Sequence, residues 1–113
     1  MKRIKQILTA LLIVFVVMQF IRPDRNQNAE SPQSDISKIY SIPDSVHTLL
    51  KNACFDCHSN NTNYPWYSNI QPMGWLIAKD IENGKAKLNF SEFGTLSPRK
   101  QRSRLQQIEN QIK

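Results

Sequence analysis

The residues best suited to chemistry lie in one short stretch, Cys54-Phe55-Asp56-Cys57-His58. On a helical turn, positions i, i+3 and i+4 share one face, so Cys54, Cys57 and His58 would point the same way. Two thiols at this spacing can bond to the two vinyl groups along one porphyrin edge, while the imidazole binds iron. The pattern C-x-x-C-H is the attachment signature of covalently bound haem. It predicts two thioether cysteines and one proximal histidine ligand.

Two other kinds of site use the same cysteine spacing, namely dithiol redox centres and zinc sites. A redox dithiol normally belongs to a βαβ unit, and no alternating strand pattern is present here. Zinc would need further ligands, and His47 is the only other histidine. A zinc site would then use neighbouring residues, Cys57 and His58, in a cramped geometry. We favour covalent haem attachment as the interpretation of this motif, with a zinc-binding module and a redox dithiol as alternatives.

The second axial ligand of the iron has two candidates. Met73 is the only methionine beyond the amino-terminal apolar segment, and it lies between Pro72 and Gly74. A methionine just before a helix often serves packing alone, so this ligand assignment is a hypothesis. His47 precedes His58 by eleven residues on the same predicted helix and cannot easily reach the opposite haem face. We therefore predict His58 as a metal ligand and Met73 as the candidate on the opposite side, where we expect a weak ligand or none.

A helix is predicted to carry the chain into the motif. Ser41 is its expected N-cap, with Pro43 in the first turn, and the helix is expected to run directly into Cys54. The following stretch, residues 59–72, is rich in Asn, Ser, Thr and Pro, which favours a loop. The motif would thus lie where a helix meets a loop.

Two further helices are predicted beyond the loop. One covers residues 74–83 and is closed by Gly84 in the left-handed conformation. The other opens with Ser97 as N-cap and Pro98 as first residue, and it carries an apolar stripe on an otherwise polar surface. Together these elements predict an all-α fold, a small cytochrome c-like helical domain behind one amino-terminal transmembrane or signal helix.

The amino-terminal residues read as a targeting or anchoring segment. Three basic residues precede the apolar run from Ile7 to Ile21, whose length lies between a signal-peptide core and a spanning helix of roughly 20 residues. No small-x-small cleavage signal follows the run, which favours an uncleaved anchor. The positive-inside rule then places the amino terminus in the cytoplasm and the rest of the chain, after the apolar run, on the exported side of the membrane. We predict a single-pass protein of the bacterial inner membrane, with its haem domain in the periplasm.

Three segments follow from these patterns. Residues 1–21 form a signal anchor or signal peptide, residues 22–38 a flexible tether, and residues 39–113 the haem-binding domain. Both cysteines lie within four positions of each other, so no disulfide framework joins distant loops. A domain with fewer than about 80 ordered residues seldom builds an adequate core alone, so haem would complete it.

The net charge of +6 does not indicate a nucleic-acid partner. The excess of basic residues falls in residues 1–26 and 97–113, and the segment between them is slightly acidic. A basic flank of the anchor and one basic helix face account for the total. We expect a membrane and a redox protein as partners, and no nucleic acid.

The chain also resembles a known family beyond the motif itself. The shared residues include His58-Ser59-Asn60, Thr62, Tyr64-Pro65-Trp66-Tyr67, Pro72, Trp75, Gly84 and Leu88-Asn89-Phe90. Over residues 39–109 the chain resembles the small bacterial haem-binding domain family. The resemblance implies a mostly helical c-type cytochrome-like domain, often exported, with Cys54, Cys57 and His58 as its attachment site. Members usually continue into a Met-Pro segment and a closing helix, so we expect this chain to lack the family's carboxy-terminal segment.

The function predicted from these features is covalent binding of haem c and its iron by a membrane-anchored cytochrome that transfers electrons in the cell envelope. An alternative is a five-coordinate haem sensor or peroxide-handling protein, because the expected distal methionine would be missing. No Arg-His pair or base lies near the motif in the sequence. The protein is therefore not expected to be an enzyme.

Overall fold

The computed structural model describes residues 1–28 and 30–113, and most of these are helical. Six α-helices are present in these ranges: α1 (Lys2–Met18), α2 (Ile36–Ile39), α3 (Asp44–Ala53), α4 (Phe55–His58), α5 (Met73–Lys87) and α6 (Pro98–Ile112). Two 3₁₀ helices cover Trp66–Asn69 and Phe90–Thr95. The same ranges contain one isolated bridge, between Gln27 and Asn61, and no strand. The predicted all-α class is confirmed.

The elements form two compact units. The first unit comprises Met1–Arg25 and Tyr64–Asp80. The second unit comprises Asn26–Asn63 and Ile81–Lys113, and it contains the C-x-x-C-H motif. Helix α5 contributes its first residues to one unit and its last residues to the other.

In the first unit, the chain leaving α1 is hydrogen-bonded to residues 64–80. The side-chain oxygen of Gln19 accepts from the backbone N–H of Gln71 at 2.8 Å, and its amide nitrogen donates to the Gln71 carbonyl at 3.2 Å. The indole N–H of Trp75 donates to the carbonyl of Ile21 at 2.8 Å. Helix α1 itself has no buried residue. The unit is therefore held together by polar contacts at the end of α1.

The predicted spanning helix gains no support from the structure. Helix α1 has 17 residues. Among the described residues, none of the helices combines the length and the apolar character that a membrane span requires.

The second unit has a small aromatic core. Ile36, Phe90 and Phe93 are buried there, and the rings of Phe90 and Phe93 stack with their centroids 6.3 Å apart. Phe55, inside the motif, lies 5.3 Å from Phe90 between centroids. Other partly buried apolar residues pack against this cluster: Ile42, Leu50, Cys54, Leu88, Leu96 and Ile108. The motif helix α4 is thus attached to the core through Phe55.

The folded part of the chain was predicted to start near residue 39, but residues before that position already make polar contacts in the second unit. The side-chain amide of Asn26 donates to the carbonyl of Ser59 at 2.8 Å and to the hydroxyl of Thr62 at 2.9 Å. Further along, the N–H of Gly94 donates to the carbonyl of Ser34 at 2.8 Å. These contacts are hydrogen bonds between loops, which produce no apolar period in the sequence.

The predicted helix ends are partly right. Ser97 caps α6, accepting from the backbone N–H of Lys100 at 3.4 Å, and Pro98 is the first helical residue, as predicted. The helix before the motif differs from the prediction. It begins at Asp44, after Pro43 rather than Ser41, and it ends at Ala53 because Cys54 departs from helical dihedrals, with φ −124° and ψ −39°.

Gly84 does not end a helix, so that prediction is wrong. Helix α5 continues through Gly84 to Lys87, and none of the described glycines has a positive φ. The glycine is required for a different reason. A Cβ at position 84 would overlap the backbone carbonyl oxygen of Cys57 and lie 3.2 Å from the Cys57 Cβ. Gly84 therefore permits α5 to approach the motif closely.

Candidate functional site

The three motif residues lie next to each other in the structure: Cys57 and His58 belong to α4, and Cys54 is its N-cap with non-helical dihedrals. The N–H of His58 donates to the carbonyl of Cys54 at 3.0 Å, and the N–H of Cys57 donates to the same carbonyl at 3.3 Å. Both cysteine side chains are half-buried thiols. The break at Cys54 separates this turn from α3, so the turn has its own orientation on the core.

The imidazole of His58 is oriented by a backbone carbonyl. Its Nδ1 lies 2.9 Å from the carbonyl oxygen of Leu88. A carbonyl only accepts, so Nδ1 donates this hydrogen bond, and in a neutral imidazole Nε2 then holds the lone pair. The ring also meets the ring of Phe90 edge-on, with centroids 6.5 Å apart. A histidine ligand commonly donates its other N–H in this manner, which fixes the ring and raises the basicity of the ligating nitrogen.

The role of Leu88 was missed by reasoning from the motif alone. Its carbonyl belongs to the turn after α5, 30 positions from His58. A backbone oxygen leaves no residue-type signal in a sequence. In the sequence analysis, Leu88-Asn89-Phe90 was noted only among the residues that the chain shares with the family it resembles.

A cavity of about 360 Å³ lies beside the motif in the second unit. Cys54 and His58 line it, whereas Cys57 does not. Its other lining residues are the apolar Leu88, Phe90, Ile108 and Ile112 and the polar Lys87, Arg104, Gln107 and Gln111. Its volume is within the range of small-molecule sites in proteins, about 300–1,000 Å³. A thiol, an imidazole with an available lone pair and an apolar wall suit a flat apolar ring with a metal at its centre. The residues present therefore fit a haem group.

A second, more polar cavity of about 470 Å³ also lies in the second unit. Lys51, Asp56 and Asn63 are among its lining residues, whereas the two cysteines and His58 are not. Although it is larger, its lining contains no imidazole and no thiol. The smaller, apolar cavity is the candidate site.

The other predicted ligands are placed as follows. Met73 is the first residue of α5 and lies in the first unit, whereas His58 lies in the second, so its ligation of iron stays a prediction. His47 packs edge-on against Phe55, with centroids 5.8 Å apart, which is a packing role. Over residues 1–28 and 30–113, no three His, Cys, Asp or Glu side chains are grouped so as to hold a metal ion. The zinc alternative gains no support from this geometry.

Comparison with known proteins gives one match. A family model described as a haem-binding domain matches residues 13–113. No curated protein and no solved structure matches the chain. The matched range includes the motif, the cavity and the last residues of α1.

Proposed function

The chain belongs to the haem-binding domain family, and from this premise we propose that Cys54, Cys57 and His58 hold haem covalently. The observation that carries the proposal is the hydrogen bond from His58 Nδ1 to the Leu88 carbonyl, because it leaves Nε2 available as a metal ligand on a residue that lines a partly apolar cavity. Each thiol would supply one thioether bond by adding its sulfur and its hydrogen across one vinyl group of the porphyrin, with no leaving group.

Each part of the site has a separate task. The imidazole of His58 would bind the iron, and its hydrogen bond to the Leu88 carbonyl would hold the ring in one orientation. The side chains of Phe90 and Ile108 line the cavity and would provide apolar contacts for the porphyrin ring. Bound haem supplies an iron that cycles between ferric and ferrous states, and the protein tunes it through the axial ligand, hydrogen bonding and burial.

We further propose that the protein transfers electrons rather than transforming a substrate. Among the described residues that line the cavity, His58 is the only histidine and no carboxylate is present. A site that activates a bound substrate usually carries a positioned acid or base in addition to its metal ligand. An envelope redox protein would be the partner.

The place of action that we propose is the bacterial inner membrane, with the haem domain in the periplasm. Two features of α1 support this location. Its first residues are basic, and none of its apolar residues is buried. The hydrogen bonds of Gln19 and Ile21 with Gln71 and Trp75 favour retention of the amino-terminal segment, since cleavage near residue 21 would remove them. A mature amino terminus between about residues 20 and 35 in mass spectrometry would reject retention.

The covalent bonds are tested by expressing the full chain together with a haem-attachment system. We expect haem to remain with the protein in acidified organic solvent, and we expect a Cys54→Ala, Cys57→Ala variant to release all of it. His58→Ala should retain the thioethers but change the absorption spectrum, because the iron loses its imidazole. His47→Ala is the matched control and should change neither the covalent retention of haem nor the absorption spectrum. Complete loss of haem from the parent protein would contradict the assignment.

A further inference from the structure

The cavity beside the motif carries positive charge along one part of its lining. Lys87, at the end of α5, and Arg104, in α6, both line it, and no acidic side chain among the described residues does. The same two residues, with Leu88, also line an adjoining recess of about 220 Å³. The two cations therefore lie on the same side of the cavity, where it borders the recess.

Neither cation has an ionic partner within the described part of the chain. Nη1 of Arg104 donates to the side-chain oxygen of Gln107 at 3.0 Å, which is a neutral group. Glu92 lines the adjoining recess with Lys85 but makes no ion pair. Arg104 is half-buried, whereas Arg102 on the same helix is exposed. A partly buried guanidinium is more favourable when an anion pairs with it than when it remains alone.

We propose that Arg104 and Lys87 bind the propionate carboxylates of the haem. The inference rests on the proposed haem site and names the groups that would position it. Haem is an apolar ring with two carboxylates, and the cavity has an apolar wall and a cationic side. The planar guanidinium of Arg104 matches a carboxylate in a bidentate geometry, and the ammonium of Lys87 acts as a point charge.

The test compares two ligands that differ only at the carboxylates. The full-length Cys54→Ala, Cys57→Ala variant is titrated with haemin and with haemin dimethyl ester, and binding is followed by Soret absorbance. Charge-assisted hydrogen bonds predict that haemin binds on the order of tenfold more tightly than the ester. Adding Arg104→Gln and Lys87→Gln should remove most of that preference. Adding Arg102→Gln instead should preserve it, because Arg102 carries the same charge on the same helix but does not line the cavity.

The possible outcomes separate this proposal from the function on which it rests. Equal binding of haemin and its ester would overturn the propionate contacts and leave haem binding intact. If the variant without cysteines binds neither ligand, the propionate contacts are tested instead on the covalent holoprotein, by measuring the midpoint potential of its haem. Arg104→Gln should lower that potential more than Arg102→Gln does, because an uncompensated carboxylate stabilises ferric iron. Equal potentials would overturn the proposal, and absence of haem from the parent protein would overturn the function as well.

Discussion

Two regions of the chain use apolar side chains in opposite ways. Helix α1 is mostly apolar, yet none of its residues is buried. In the second unit the large apolar residues are interspersed with polar ones, and Ile36, Phe90 and Phe93 are buried together in a core. Apolar content alone therefore does not identify the core of this protein. What matters is whether other elements cover the side chains.

The difference has an energetic consequence. Burial of a large side chain contributes about 1.5–3 kcal/mol, so each buried residue of a small core accounts for a large share of its stability. The exposed side chains of α1 contribute little to folding of the polypeptide by the same reasoning. Substitutions of one residue type in the two regions should therefore have very different effects.

The largest effect is expected for Phe93→Ala compared with Phe20→Ala. Phe93 is 0 % exposed, whereas Phe20, just after α1, is 84 % exposed. Truncation of a buried phenylalanine costs about 3–5 kcal/mol, so Phe93→Ala should lower the free energy of unfolding by that amount. Phe20→Ala should change it little. Denaturant titration of the haem-loaded protein measures the free energy of unfolding of both variants. Equal losses of stability would contradict the difference between the two regions.

A smaller effect is expected for Gly84→Ala, which probes how closely the second unit packs around the motif. The added methyl group would collide with the carbonyl of Cys57, and overpacking of this kind typically costs about 1–3 kcal/mol. The yield of covalent haem should fall with stability, because the motif turn must shift. Asn83→Ala, at an exposed position of the same helix, is the control and should reduce neither. An unchanged haem yield in Gly84→Ala would show that the close approach is dispensable.

The smallest effect concerns the helix caps. Ser97 caps α6 with its hydroxyl, whereas α1 has no side-chain cap. Ser97→Ala should lower the free energy of unfolding by about 1 kcal/mol, because one backbone N–H loses its partner. Ser103→Ala, at an exposed position inside α6, should be neutral or slightly stabilising. A cost at Ser103 equal to that at Ser97 would argue against a specific capping contribution.

The sequence predicted the site better than it predicted the packing around the site. Cys54, Cys57 and His58 lie within five positions of the chain and are joined by backbone hydrogen bonds to the Cys54 carbonyl, so their proximity followed from local geometry alone. The cap at Ser97 was equally local. These features depend on residues within four positions of each other, which is why a sequence pattern reveals them.

Apart from the ends of the helix before the motif, the missed features join distant residues. Gly84 was interpreted as a helix end because glycine commonly occupies that position, whereas its actual role depends on a carbonyl 27 positions away. The bond from His58 to Leu88 involves a backbone oxygen, and the contacts of Asn26 involve a side-chain amide between two loops. None of these has a periodic or compositional signal. They become visible only when the path of the chain is known.

The contact between Gly84 and Cys57 limits how the C-x-x-C-H motif can be transplanted. A designer who grafts the five residues onto the end of another helix copies the thiols and the imidazole but not the groove that receives the Cys57 carbonyl. The recipient scaffold would need a second helix with a residue lacking Cβ opposite that carbonyl. The minimal transferable unit is therefore two segments of chain, the motif turn and a glycine-bearing stretch of α5 that continues to the Leu88 carbonyl.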